Sequence, residues 1–411
     1  MSVVATDATS AVVSDLTLER AQEWSRLGNP EIEFLGASTA AAVGDSVAAD
    51  ILENPELSLS PGIVVSKGDG GNETGFHGEI EIAQKIEFPG KRALRKAIAD
   101  GTVRQREVAL EAFYGQLEIR VRRAFYEVLA AREILQLREQ QREIATRFAE
   151  AARKRADTGY GSDFEATKGD AEVLEAERGV RAARGELAAA RVGLFALFGK
   201  EPTPALREVG SLDAVRAVNL PANVVGFALE RNPELRLSRM EADAAGLGVD
   251  AAKLASSPDL TVAPSAEISE DEQIYGIGLS IPLPLWNSNR GGIETATAEE
   301  RRARAEIGRL ERDLSGAVRA ATERLVAAQE QVALYTPEFL ERLRSLLERA
   351  ERGYGQSATT FLIYLDARKT YFDTLAAYYE SLAAVATAQA DLEEAIGAPL
   401  DSAPKSEGAH P

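Results

Sequence analysis

Glu79-Ile80-Glu81-Ile82-Ala83-Gln84-Lys85-Ile86-Glu87-Phe88 sets Glu79, Glu81, Lys85 and Glu87 against Ile80, Ile82, Ile86 and Phe88. A period of two puts those sets on opposite faces of a β-strand. Upstream, Leu57, Leu59, Ile63 and Val65 alternate with Ser58, Ser60, Gly62 and Ser66, and Lys67-Gly-Asp-Gly-Gly-Asn72 supplies turn residues between the two runs. The spacing predicts a β-hairpin over about 57–88 with one apolar and one polar face. Downstream, Lys91 to Asp157 holds no proline and only two glycines. A helix of that length reaches roughly 100 Å at ~1.5 Å per residue. Within it Leu110, Tyr114, Leu117, Val121, Ala124, Val128, Ala131 and Leu135 step by four and three, the pattern of a coiled-coil seam. Gly159-Tyr160-Gly161 then predicts a reversal into a return helix over about 163–198, because glycine permits the positive φ of a tight turn.

The same plan is written twice. Asn29-Pro-Glu-Ile32 returns as Asn232-Pro-Glu-Leu235, and Asn54-Pro-Glu-Leu57 returns as Ser257-Pro-Asp-Leu260. Gly159-Tyr160-Gly161 returns as Gly353-Tyr354-Gly355, and Leu197-Phe-Gly199 is echoed by Ala395-Ile-Gly397. Repeat one covers 16–207 with its tip at 159–161. Repeat two covers 208–400, with a hairpin at about 260–285 and a tip at 353–355. Its first long helical arm is expected to break at Pro337. Residues 401–411 read as a disordered tail.

Composition narrows the function. With 45% hydrophobic and 27% charged residues the chain is an ordered protein rather than a disordered one. A net charge of -18 speaks against nucleic acid, which needs clustered Lys and Arg. The chain has no cysteine and only His77 and His410, so disulfides, thiolate metal sites and cysteine nucleophiles are excluded. No phosphate loop, nucleophile elbow or paired-histidine zinc motif is present, and no catalytic residue, metal ligand or cofactor is expected. Lys67–Glu73 and Ser269–Glu272 read as plain hairpin loops, lacking the spacing of a calcium loop. No run is apolar enough for a membrane-spanning helix. Met1–Ser14 has neither a basic nor an apolar signal region, so an exported protein would have to be a mature form or one whose start lies upstream.

Two hairpins give four strands, too few to close into a barrel alone. If the apolar face meets lipid, the edges must be paired, because unsatisfied backbone groups are costly in hydrocarbon. Several subunits would then pool strands, with Glu79, Glu81, Lys85 and Glu267 facing a water-filled lumen. Alternation equally suits hairpins packed on helices in a soluble α+β domain, so the residues alone leave both open.

The ordered set Leu16-Thr-Leu-Glu-Arg-Ala21, Asn232-Pro-Glu-Leu235, Gly278-Leu-Ser-Ile-Pro-Leu283 with Asn287 to Gly292, and Gly353-Tyr354 followed by Leu365-Asp-Ala-Arg368 resembles the TolC family of outer-membrane efflux proteins. The likeness spans about Leu16 to Pro399. It implies a mostly α, α+β chain that trimerises into a shared twelve-stranded antiparallel β-barrel with a long periplasmic α-helical barrel. It also implies a non-enzymatic exit duct in the outer membrane, embedded in lipid, docked to a periplasmic adaptor (membrane fusion) protein and an inner-membrane pump of the resistance-nodulation-division type. Ile82-Ala-Gln-Lys-Ile-Glu-Phe-Pro-Gly-Lys-Arg92 is similar to the matching stretch of cobalt–zinc–cadmium and copper efflux channels, which points to heavy-metal export. The resemblance makes Asp366 and Tyr354 pore-constriction residues, and makes Gly159, Tyr160, Gly161, Gly353, Tyr354 and Gly355 adaptor-contacting tips. The plainer readings are a helix-surface Asp366 paired with Arg368 or Lys369, and a Tyr354 that only packs. Trp286, Phe88, Phe76 and Tyr275 are the candidates for membrane-interface aromatics. A periplasmic adaptor and a soluble coiled-coil structural protein are the alternative functions.

Overall fold

The computed structural model describes residues 14–68, 71–159, 161–203, 206–216, 220–269, 272–356 and 358–400. They form two compact units. One comprises Phe34–Leu110 and Pro233–Glu311; the other takes the segment before Phe34, Glu111–Asn232 and the chain from Arg312 onward.

The first unit holds the sheet. Strands β2 (Glu56–Gly68) and β3 (Gly71–Ile86) form the first hairpin, and β5 (Leu260–Ser269) and β6 (Gln273–Ser280) the second. All neighbours are antiparallel in the order β2-β3-β5-β6. Beneath them lie most of α2 (Pro30–Ala49), all of α6 (Pro233–Leu254), the first part of α3 (Lys91–Asp157) and the first part of α7 (Arg290–Ala333). Asp259 fastens the base of the sheet. Its Oδ1 accepts from the Phe88 backbone N–H and from Lys91 Nζ, both at 2.8 Å, so the start of β5 is held to the start of α3.

The second unit is nearly all helix. It carries α1 (Leu18–Gly28), the rest of α3, α4 (Asp163–Ala196), a short 3-10 turn (Leu212–Arg216) and α5 (Val224–Arg231). The end of α7, α8 (Pro337–Gly355) and α9 (Phe361–Ile396) complete it, beside a small parallel pair of β1 (Ser14–Leu16) and β4 (Leu206–Glu208). Leu117, Val121, Phe125, Val128 and Leu129 of α3 are buried with Val318 and Leu325 of α7 and Phe372, Leu382 and Val385 of α9. The seam expected in α3 is only partly followed. Leu110, Tyr114, Ala124, Ala131 and Leu135 are half-buried, while Phe125, Leu129 and Leu137 are buried instead. A straight helix drifts ~20° per heptad from a strict seven-residue repeat, so the buried stripe leaves the heptad positions.

The duplicated sequence is duplicated geometry. Asn29 ends α1 and its Nδ2 donates to the Leu197 carbonyl at 3.2 Å; Asn232 ends α5 and donates to the Ala395 carbonyl at 3.2 Å. In each repeat the proline that follows opens the next helix, where its missing N–H costs nothing. The return helices α4 and α9 are followed by Gly199 and Gly397 at φ 65 and 81. Pro337 breaks the second arm as expected: it opens α8, with Thr336 as N-cap accepting from Phe339 N. The tail 401–411 lies outside the described residues.

Candidate functional site

The strand register sorts the hairpin residues by face. Leu57 pairs with Ile82 and Leu59 with Ile80; Ile80 in turn faces Ala266, and Ala266 faces Tyr275. Val262 pairs with Leu279, and Ile63 with Phe76. One continuous apolar face therefore crosses all four strands. Leu57, Leu59, Ile63, Tyr275, Ile277 and Leu279 are between 61% and 76% exposed in the single chain, so the helices do not cover it. From Phe76 to Ile86 this face extends ~33 Å at ~3.3 Å per residue. Tilted by ~40° it stands ~25 Å tall, the height of the apolar band of outer-membrane barrels.

Glu79, Glu81, Lys85 and Glu267 share the other face, as the sequence predicts. Glu79 stands directly opposite Glu267, and Glu81 opposite Ser265. His77 Nδ1 lies 3.5 Å from Glu267 Oε1. Lys85 Nζ is 2.9 Å from Glu53 Oε1. Ile274 also falls on this face, opposite Glu267. Strands β2 and β6 are the edges, each hydrogen-bonded on one side only among the described residues.

Within the helical unit the two tips differ. Gly159 has φ 77, and Gly161 N donates to the Arg155 carbonyl at 2.9 Å. A Cβ on Gly161 would lie 2.9 Å from Arg155 Cβ and 3.1 Å from Ala156 N, so the close turn needs glycine there. Tyr160 lies outside the described residues. In the second repeat Gly353, Tyr354 and Gly355 do not form the reversal. They close the last turn of α8 without positive φ, and the chain turns between Gln356 and Thr360, the N-cap of α9. The carbonyl of Gly353 accepts from Ala358 N at 2.8 Å and Thr359 N at 3.1 Å.

Tyr354 is buried in an aromatic cluster. Its ring lies 5.5 Å from Tyr364 and 5.3 Å from Phe148, and Phe148 stacks on Phe361 at 5.2 Å. The Arg155 guanidinium sits 5.2 Å over the Tyr354 ring. Its hydroxyl donates to Glu165 Oε2 at 3.2 Å, joining α8 to the first turn of α4. Burial, then the Glu165 charge, raises the Tyr354 phenol above its ordinary value. Four residues further along α9 than Tyr364, Arg368 is buried and donates to Glu172 of α4, which also takes Lys168 at 2.9 Å. Asp366 is exposed on α9. Neither basic neighbour is bonded to it, because Arg368 goes to Glu172 and Lys369 to Asp373 at 2.6 Å.

Glu165, Glu172 and Phe148 were not singled out by the sequence, and Arg368 was read there only as a partner for Asp366, whereas it pairs with Glu172. Glu165 did carry a signal, since Ser162-x-x-Glu165 is a capping box in which Glu165 N donates to Ser162 Oγ at 3.2 Å. Among the described residues no group of three or more His, Asp or Glu could hold a metal ion, and no helix is long and apolar enough to cross a membrane.

The crystal structure of CusC matches 97% of this chain and 96% of its own, with a TM-score of 0.78 at 18% identity. That of VceC from Vibrio cholerae matches 93% and 96%, with a TM-score of 0.73 at 18% identity. The fold is therefore that of the TolC-like channel proteins. The cobalt-zinc-cadmium resistance protein CzcC of Cupriavidus metallidurans is 26% identical over 359 residues, covering 87% of this chain and 84% of that one. The outer membrane efflux protein family matches over residues 25–200 and 224–398, one match for each repeat, and the chain belongs to that family. It is the outer-membrane channel component of a tripartite efflux pump, which sets aside the adaptor and the soluble coiled-coil protein.

Proposed function

We propose that three copies of the chain pool their strands into one lipid-embedded barrel that acts as a passive exit duct for divalent heavy-metal cations. The observation that carries this is the four-stranded sheet with an exposed apolar face and two free edges. In hydrocarbon each free edge would leave a row of unpaired N–H and C=O groups, and joining β6 of one copy to β2 of the next removes every edge. The polar face then lines the lumen with Glu79, Glu81, Lys85 and Glu267. In the helical unit Asp366, exposed and with both basic neighbours paired elsewhere, faces the axis as one member of a ring of three carboxylates that favours cations. Tyr354 holds the second hairpin against the first near this constriction. The turns at Gly159–Gly161 and around Gly353–Gly355 meet a periplasmic adaptor, which links the duct to an inner-membrane pump of the resistance-nodulation-division type. The duct catalyses no reaction.

Metal cations are favoured as cargo by the chain's net charge of -18 and by Glu79 and Glu267 facing each other across two strands. Two relatives carry names in the same direction, CzcC as a cobalt-zinc-cadmium resistance protein and CusC of Escherichia coli as a cation efflux system protein. The test is the mass of the purified particle. The expected result is a detergent-dependent trimer of the 44.1 kDa chain. A monomer that stays soluble without detergent overturns the reading.

A further inference from the structure

Beside the break between α7 and α8 the helical unit is not filled. There α3, α8 and α9 each turn one face, of residues spaced three and four apart, toward a common hollow of about 390 Å³. Packed interiors keep few voids larger than a water, whereas small-molecule sites between helices have this size. Its floor is apolar: Leu137 is 3% exposed, and Leu340 and Leu375 are half-buried. Its mouth is polar, with Gln136, Glu341 and Arg344 exposed.

Tyr371, Tyr378 and Tyr379 of α9 line it, brought to one side by steps of seven and eight residues. The Tyr378 ring is 5.3 Å from that of Tyr379, and its hydroxyl donates to Asp213 Oδ1 at 3.0 Å, which fixes it in place. The charge is net negative, with Glu133 and Glu341 against Arg344. Arg344 Nη1 lies 3.6 Å from Glu341 Oε2, so its charge is met there. Glu133 Oε1 is 3.4 Å from Arg132 Nη2, and that guanidinium also donates to the Glu208 carbonyl. Burial first, and then the nearby Glu133 charge, raises the Tyr379 phenol above its ordinary value; the second effect has the sign of a negative local potential.

We propose that this hollow binds a small organic cation, an alkyl or quaternary ammonium on an apolar body, held against the three tyrosine rings with Glu133 as its counter-charge. Aromatic rings attract a cation through their quadrupole, and most strongly where water is displaced. The apolar floor takes the body of the ligand. A transition metal does not suit the site, because its lining holds neither thiolate nor imidazole. An anion would meet Glu133 and find Arg344 already paired. The occupant would tie the first turn of α8 to α3 and α9, and so brace the second repeat where its long arm is broken between Ala333 and Pro337. The site lies wholly in the helical unit, so the proposal stands apart from the barrel reading.

The test is hydrogen exchange of the full chain in nonionic detergent, with three probes of one size: benzyltrimethylammonium, benzyl alcohol and benzylsulfonate. Benzyltrimethylammonium should slow the amides of 338–344 and 371–379, about tenfold at ten times its half-saturating concentration. The alcohol and the sulfonate should leave them unchanged. Glu133→Gln keeps the shape and removes the charge, and should raise the half-saturating concentration about tenfold. Equal protection by the alcohol makes the hollow merely apolar and overturns the proposal. Equal or stronger protection by the sulfonate makes Arg344 the recognising group and overturns it too. Protection by none of the three, or only outside these two segments, means that a second copy covers the hollow or that the cation binds elsewhere, and either refutes the site. An unchanged half-saturating concentration in Glu133→Gln removes the counter-charge from the account. Should that variant fail to fold, the three probes on the unaltered protein decide alone.

Discussion

Removing Glu172 should cost more than removing its partner Arg368, and removing both should cost less than removing Glu172 alone. The structure gives the asymmetry. The Arg368 side chain is 4% exposed and Glu172 is 24% exposed, and Glu172 keeps a second cation in Lys168. Arg368 Nη1 already has no hydrogen-bond partner. Glu172→Leu therefore leaves a guanidinium buried with no counter-charge, a loss of about 3 kcal/mol. Arg368→Met removes the buried charge itself and leaves Glu172 paired with Lys168, a loss of about 1 kcal/mol. The double variant replaces the pair by apolar groups and should resemble Arg368→Met. Hydrogen exchange of the α9 amides around Leu365–Phe372 reads the local opening that this contact resists. Glu172→Leu should speed it about 100-fold and the other two variants about fivefold, since 1.4 kcal/mol is a factor of ten. If Glu172→Leu proves no worse than Arg368→Met, or the double variant shows the sum of the two, the pair is not the buried clamp between α4 and α9 described above.

Two further outcomes are expected on α9. Asp366→Asn should lower cation selectivity, read as a smaller reversal potential in a salt gradient across a planar bilayer, without disturbing assembly; an unchanged potential in correctly inserted channels makes Asp366 an ordinary surface charge. The Tyr364 phenol is pushed up to about 12, first by burial and with Arg368 opposing. A folded pKa above the unfolded value near 10 means that its contribution is complete below pH 10 and is lost as pH rises towards 12, by roughly 3 kcal/mol. Tyr364→Phe should remove that part of the alkaline loss in melts followed between pH 9 and 12, and an undiminished loss in the variant would assign it to other groups.

The strands and the long helices were legible because each obeys a local period. Alternation from Leu57 to Phe88 matches β2 and β3, and the proline-free run from Lys91 to Asp157 is α3 from end to end. Alternation alone overextended the last strand: β6 ends at Ser280, where Pro282 and Pro284 cannot donate to a ladder. The twin Gly-Tyr-Gly motifs look alike in sequence and differ in structure. Gly159 adopts positive φ, whereas Gly353 and Gly355 stay helical because Thr360 supplies the next cap further on. The links of Tyr354 to Glu165 and of Arg368 to Glu172 join residues on different repeats. Each glutamate is an ordinary helix-surface residue by composition, and only the packing of α4 beside α8 and α9 gives it a partner.

The central claim is that the sheet separates lipid from a water-filled lumen, and the chain's lack of cysteine allows a direct measurement of it. Single cysteines at Glu81 and Gly278 fall on the polar face, and those at Ile82 and Leu279 on the apolar one. In reconstituted vesicles a membrane-impermeant, water-soluble maleimide should label the first pair readily and leave the second pair almost untouched, while all four react once the protein is unfolded in detergent. Equal labelling of both faces in the folded, inserted protein would contradict the account.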